Sequence, residues 1–333
     1  MRNFLKTIGC AVLLSVGIIG CSQDEPNQAN AESPNQEDEL ISVKQLTNWF
    51  AQPDFGGQYA ALEEGYYEDV GLDMTIESGG PQISEIQIVA SGEADFGMAT
   101  GDELLAARQE GLPVVAIAAL FQVNPQVLLY HEGQDIEDFN DLNGRTVFVA
   151  PGVMYWEYLK DAYELGDVNE MAFSGQFNQF IEDETAVSQA YLTTAPYNLS
   201  KQGVETEYLL VNDSGYETYA DVLFTTEDYI EEHPEIVQNY VEASLKGWDY
   251  YKTNYEEINK VILEENPDLN LDAMKYSSEQ LMDLVFGSDA AEHGVGYMSN
   301  QKWKKLAGQL KDIGILTEDI DVEEAFTTEF LPE

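Results

Sequence analysis

Along most of this chain, short stretches that alternate apolar and polar residues are separated by stretches with apolar residues three or four apart. Residues 41–46 and 72–76 alternate as half-buried strands do, and 94–98 make a shorter strand. Residues 113–121 form a continuous apolar run of strand length, which predicts a parallel strand buried on both faces. Helical spacing lies between them: 56–68, with Tyr59, Leu62 and Tyr66 on one side, then 83–90, then a helix through Arg108 that Asp102 is placed to cap. A second series follows residues 127–130, with strands at 146–149, 170–173, 187–191 and 206–211 and helices at 155–165, 176–182 and 193–202. Beyond Thr226 the pattern is helical, over 234–253, 254–265, 271–286 and 300–313. Such alternation predicts an α/β protein of doubly wound layers. Its presence in each half, over roughly 290 residues, predicts two lobes.

The N-terminus follows a different rule. Arg2 and Lys6 precede an uncharged run, residues 8–20, that ends in Ile18, Ile19, Gly20 and Cys21. The run is too short for a membrane span and has the order of a secretory leader. It resembles a bacterial lipoprotein signal, which implies that Cys21 becomes the lipidated N-terminus. Residues 1–20 are then the signal peptide, and 21–40, rich in Gln, Asn, Glu, Asp, Pro and Ser, a flexible tether. The expected location is the outer face of the cell membrane, held by acyl chains.

Charge narrows the partners. Sixty-two Asp and Glu against 15 Lys and Arg give a net charge of −47, more negative still once Arg2 and Lys6 leave. That excludes nucleic acid as a partner. A hydrophobic fraction of 44% requires a folded core, so the acid lies on its surface, as suits a salty or alkaline habitat. Cys10 leaves with the leader and Cys21 carries lipid, which leaves no disulfide. His131, His233 and His293 lack ligand spacing, so neither a metal nor a cofactor is expected.

Several ordered blocks carry a family resemblance. Gly56 to Tyr67 followed by Gly71-Leu72-Asp73, Val89 to Gly97, Glu110 to Ala116, Asp141 to Arg145, and Gly247-Trp248 resemble the SsuA/ThiY-like substrate-binding lipoproteins. The resemblance implies a two-lobed, type II periplasmic-binding-protein-like fold with a hinge and an interlobe cleft. Residues 41–130 would form the first part of lobe 1, 131–224 lobe 2, and 225–333 the return to lobe 1 with the C-terminal helices. It also implies a monomer that is not an enzyme and that hands a small solute to an ABC permease driven by its ATPase. A sensor that reports to a receptor fits the same residues.

Trp49 to Asp54 with Gly56 to Tyr59 is similar to the opening motif of the pyrimidine-binding branch, with Ala51 and Gln52 in place of its Pro and Asn and Phe55 in place of its His. An oxyanion site needs cations or clustered donors. Outside the leader the only arginines are Arg108 and Arg145, and loop 151–156 has no hydroxyl before Tyr155. The expected cleft is aromatic and acidic, and its ligand a thiamine-related pyrimidine precursor or similar small heterocycle. The alternatives are an aliphatic sulfonate, taurine or nitrate, and, in another class, an enzyme like the thiamine-pyrimidine synthases. That enzyme's cysteine-rich segment and histidines have no counterpart here.

The candidate contacts sit at strand ends, where α/β folds bind ligands. Trp49 and Gln52 follow the first strand, and Trp49 serves either the ligand or interlobe packing. Asp54 either binds an amine or caps a turn; Tyr59 faces either cleft or core. Thr100 and Asp102 follow the 94–98 strand, with helix capping the alternative role for Asp102. Gln122 closes the long apolar strand. Tyr155 and Trp156 open a helix that either closes over the ligand or joins the core. Gln189, Tyr191 and Tyr219 complete the set.

Overall fold

In the computed structural model the described residues are 40–332, apart from Pro81. The leader, Cys21 and the tether up to residue 39 lie outside them. In chain order the strands are β1 (Ile41–Leu46), β2 (Leu72–Glu77), β3 (Phe96–Ala99), β4 (Val114–Phe121), β5 (Gln126–His131), β6 (Thr146–Val149), β7 (Asn169–Ala172), β8 (Val187–Tyr191), β9 (Thr206–Leu210) and β10 (Ala220–Thr226). Helices α1 (Gly56–Glu63), α2 (Tyr66–Asp69), α3 (Glu85–Ala90) and α4 (Gly101–Gln109) fall among β1 to β4; α5 (Met154–Ala162), α6 (Asn178–Glu182) and α7 (Ala195–Ser200) fall among β6 to β9. After β10 come α8 (Glu227–Glu232), α9 (Pro234–Glu265), α10 (Leu271–Phe286), α11 (Ala290–His293) and α12 (Asn300–Asp312).

The strands form two five-stranded sheets, ordered β2-β1-β3-β10-β4 and β7-β6-β8-β5-β9. In the first, β1 pairs in parallel with β2 and β3, and β10 runs antiparallel to β3 and β4. In the second, β6 is parallel to β7 and β8, while β5 is antiparallel to β8 and β9. The chain therefore crosses between sheets twice, between Phe121 and Gln126 and again before Ala220. The expected lobe boundaries after 130 and 224 fall inside β5 and β10. Both strands pair by tertiary contact, and their local apolar pattern does not name a partner sheet.

Other expectations shift for local reasons. The 56–68 helix breaks into α1 and α2 at Gly65, whose φ of 71° places it in the left-handed region, and Leu62 turns out to solvent. The apolar run of β4 is buried throughout, but its strand neighbour β10 is antiparallel, and among the described residues its parallel pairing is confined to a bridge between Ala116 and Phe326, because burial on both faces does not depend on strand direction. The two helices expected at 234–253 and 254–265 are both present within α9 and meet at Asn254, whose φ of −120° leaves helical geometry and kinks the run there.

The glycine-rich block and the Gly247-Trp248 pair, far apart in sequence, explain each other. Helix α1 lies across α9 so closely that a Cβ on Gly247 would stand 2.0 Å from the Gly57 carbonyl oxygen, and one on Gly57 2.2 Å from the Trp248 ring. Trp248 and Tyr251 are fully buried beneath that crossing. The sheets are separate, but the apolar packing is continuous: Leu104, Leu105 and Trp303 of the first lobe join Leu128, Val147, Trp156 and Leu159 of the second in one cluster. Tyr216, on the second crossing, stacks obliquely on Tyr158 of α5 and belongs to that cluster.

Candidate functional site

Strands β1, β2 and β3 all end at one edge of the first sheet, and β10 begins there, so four segments deliver polar side chains to one wall. After β1, the Thr47 hydroxyl donates to the Trp49 carbonyl (2.6 Å) and accepts from the Gly79 N–H (3.3 Å), which ties the β1 and β2 loops together. Gly79 is required here, since a Cβ would lie 2.1 Å from the Thr47 backbone carbonyl oxygen. Asn48 donates from Nδ2 to Asp221 Oδ1 at 2.9 Å. Trp49 and Phe50 pack edge to face and stay 43% and 49% exposed, an unusual surface for a pair of large aromatic rings.

Asp54 lies in a single helical turn, Pro53–Phe55, that leads into α1. It is buried, its Oδ1 accepts from the Thr193 hydroxyl of the second lobe at 3.4 Å, and its Oδ2 has no partner. Gln58, one turn further along the same face, is wholly buried with neither end of its amide hydrogen-bonded. Buried polar atoms without partners are rare, and an ordered water, an ion or a ligand is what ordinarily completes them.

At the start of α4, Glu103 reaches back to accept from the Thr100 N–H (2.9 Å) and hydroxyl (2.8 Å), so Thr100 holds the helix terminus. Asp102 does not cap it. Its carboxylate accepts from the Tyr216 hydroxyl (2.6 Å) and the Thr218 hydroxyl (3.2 Å), fastening α4 to the returning chain. The facing wall comes from the second lobe. Gln189 Oε1 accepts from the Ala150 N–H and from the Tyr155 hydroxyl (3.2 Å), and Tyr191 and Thr193 follow on β8 and its loop.

Four expected contacts are used elsewhere. The Gln122 amide donates to the carbonyls of Ala119 and Tyr297, so it anchors the first crossing and does not face the cleft. Tyr219 is wholly buried, accepts from the Ser299 N–H (2.9 Å) and lies under Lys302, whose ammonium is 3.9 Å from the ring centre. Trp156 donates from its indole to Glu170 (2.8 Å) and packs in the core. Tyr59 is core as well, with its hydroxyl on Ser78. Gln52 lines a separate cavity of about 120 Å³ with Pro53, Thr194, Asn198 and Ser277, beside Asp54 and open to both lobes.

Electrostatics gives the wall its character. Loss of water, more than any neighbour, raises the Asp54 carboxyl to about 6, against a weaker opposing pull from its own N–H and Thr193. Burial pushes Asp221 well up, Asp54 and Glu103 add repulsion, and Asn48 opposes them. Burial and the charge of Glu103 raise Glu85, at the start of α3, to about 7. Tyr191, although 41% exposed, loses most of its hydration inside the concavity and also feels Asp221, Glu103, Asp54 and Asp102; its hydroxyl is held strongly protonated. Among the described residues none of Asp54, Asp102, Glu103 and Asp221 is in an ion pair. The arginines are spent far off. Arg108 holds Glu227 (2.8 Å), Glu324 (3.3 Å) and the Val114 carbonyl, and Arg145 holds Gln134 and the carbonyls of Asp135 and Asp141.

Asn48, Glu85, Glu103, Thr193 and Asp221 do not stand out in the sequence. One signal was available for Asp221: an acid set inside the apolar pattern of Tyr219 to Phe224. For the others there was none.

Two sheet-built lobes, linked by crossing segments and meeting at their strand ends, make this a protein of the periplasmic-binding-protein fold. The periplasmic aliphatic sulphonate binding protein SsuA from Escherichia coli superposes with a TM-score of 0.66 at 11% identity, over 86% of this chain and 92% of that one. The chain belongs to the NMT1/THI5-like family, whose pattern residues 52–258 match. It is similar to the riboflavin-binding protein RibY of Chloroflexus aurantiacus, 27% identical over 98% of both chains. It is also similar to the formylaminopyrimidine-binding protein of Halalkalibacterium halodurans, 24% identical over 90% of this chain and 93% of that one. A third relative is the 4-amino-5-hydroxymethyl-2-methylpyrimidine phosphate synthase THI5 of Saccharomyces cerevisiae, 25% identical over 82% and 84%.

Proposed function

We propose that this protein is the extracytoplasmic solute-binding component of an ABC importer, lipid-anchored through Cys21, and that its solute is a small planar heterocycle containing a pyrimidine ring. One observation carries the choice of ligand: Asp54, Asp102, Glu103 and Asp221 of the first lobe all act electrostatically on Tyr191 of the second, and among the described residues none of the four is in an ion pair. Such a wall accepts hydrogen bonds and repels oxyanions, which argues against a sulfonate or nitrate. The exposed Trp49 and Phe50 rings offer a flat stacking surface, worth about 0.5–1.5 kcal/mol per contact beyond the area covered. Riboflavin and formylaminopyrimidine, named for two relatives, share a pyrimidine-type ring, and this common chemistry fits the wall better than any acid does.

A binding role also fits the positions of the histidines better than catalysis does. His131 bonds the Phe180 carbonyl, His233 precedes α9 and His293 stacks on Tyr297, all away from the carboxylates. Ligand bridging Asp54 on one lobe and Tyr191 or Thr193 on the other would shift the lobes toward the closed arrangement that a permease accepts. Calorimetric titration with 4-amino-5-hydroxymethyl-2-methylpyrimidine, riboflavin and an alkyl sulfonate, together with mass spectrometry of whatever co-purifies, tests the proposal. Heat from one of the heterocycles is expected; heat from the sulfonate alone would overturn it.

A further inference from the structure

Both chain crossings are held by one short segment, residues 297–302, which runs into the first turn of α12. On the first crossing, Gln122 donates from its side-chain amide to the Tyr297 carbonyl at 2.9 Å, and its own carbonyl accepts from the Lys302 ammonium. On the second, the Tyr219 hydroxyl accepts from the Ser299 N–H at 2.9 Å, and its ring centre lies 3.9 Å from the same ammonium. Ser299 also caps α12, its hydroxyl accepting from the Lys302 N–H at 3.2 Å, so the segment is anchored in a helix start. Lys302 therefore touches both crossings, by a charge-assisted hydrogen bond on one and a ring face on the other. Among the described residues the chain passes between the two sheets only at these crossings, so lobes that swing must swing about them.

We propose that residues 297–302 form a clamp on the hinge, with Lys302 the positioning residue that ties the first-lobe ends of both crossings to each other. Such a clamp goes beyond the binding reading and acts whatever the solute, so its test stands or falls separately from the choice of ligand. Its grip depends on pH. Lys302 is partly buried, and loss of water lowers its ammonium to about 8. Glu217 of the second crossing and Asp289 at the start of α11 pull the other way, and Lys305 of α12, itself paired with Glu217 at 2.9 Å, adds to the fall. Tyr219, whose hydroxyl is raised by burial, and Tyr297, under the stacked ring of His293, complete the surroundings. A released clamp returns the ammonium to water and to its ordinary value of 10.5. Between the two values the released form holds more protons, so raising the pH favours the engaged clamp.

Hydrogen exchange of the full chain without ligand, read by mass spectrometry and corrected for intrinsic exchange at each pH, tests the proposal. Peptides over 119–126, 215–222 and 297–303 should be about tenfold better protected at pH 9 than at pH 7. A peptide over β6, in the second lobe, should not share that rise. Lys302→Met keeps the stem without the charge, and Lys302→Arg stays charged at both pH values; each should abolish the pH dependence, with circular dichroism confirming the fold. Lys302→Met should also lower protection of the crossings at pH 9 by roughly fivefold, because the bond to the Gln122 carbonyl is lost. Wild-type crossings that are equally protected at pH 7 and pH 9 would overturn the proposal, as would a rise shared equally by the β6 peptide. So would a pH dependence that survives in Lys302→Met, or Lys302→Met crossings as well protected at pH 9 as those of the wild type.

Discussion

Asp54 shows how a single residue trades stability for binding. Its carboxyl sits near 6 in the fold and near 3.8 when exposed, so between those values the folded state holds more protons than the unfolded one. Stability contributed by that proton is present at the acid end and lost as pH rises toward 6 and beyond. Asp54→Asn removes the charge without changing shape, and is expected to raise stability at pH 7 by on the order of 1–3 kcal/mol, since a tenfold difference in proton affinity between the two states corresponds to about 1.4 kcal/mol. Denaturant melts at pH 5 and pH 7 measure it, and the gain should be larger at pH 7. Affinity for the ligand should fall in the same variant. The sequence left Asp54 as either ligand contact or cap, because an acid before a helix serves both roles equally well. In the structure it is buried, accepts from Thr193 of the other lobe and leaves one oxygen bare, none of which a position before a helix announces.

At the scale of elements, most of the fold was legible. The strand at 41–46, the helix at 271–286 and the strand at 146–149 coincide with β1, α10 and β6, because periodicity is a local property that one face of burial imposes. Strand direction was not legible. The apolar run of β4 has the pattern of a central parallel strand, yet its strand partner β10 is antiparallel and its parallel pairing is a short bridge to Phe326, and β10 itself, shorter and interrupted by Asp221, carries too weak a pattern to announce a strand. The glycine blocks were recognised as motifs without a reason, and the reason is the crossing of α1 on α9. In an exposed helix Gly247→Ala would gain up to about 1 kcal/mol from propensity. Here the added carbon meets the Gly57 carbonyl, and the substitution should lower stability by roughly 1–3 kcal/mol. A thermal melt with a lowered midpoint and unchanged ligand affinity per folded molecule is the expected result.

Across the whole molecule, charge and topology act together. A net charge of −47 opposes compaction, and most of the ion pairs are exposed and weak. Salt screens that repulsion, so the melting temperature should rise by several degrees between dilute buffer and about 1 M sodium chloride; a flat profile would show that the surface acids are already well separated. By itself the sequence determined the class of fold and the rhythm of its elements, because periodicity is carried by residues near one another along the chain. It also led to the expectation of an acidic and aromatic ligand wall. Which acids form that wall was decided only by the tertiary structure. Asn48 and Asp54 come from one connection of the first sheet, Glu103 from a second and Asp221 from strand β10, while Tyr191 and Thr193 come from the other sheet, and their placement depends on two chain crossings that no local pattern encodes. At the same crossings Gln122 bonds the carbonyls of Ala119 and Tyr297 and Tyr219 bonds the Ser299 N–H, so both tie the crossing segments to the first lobe.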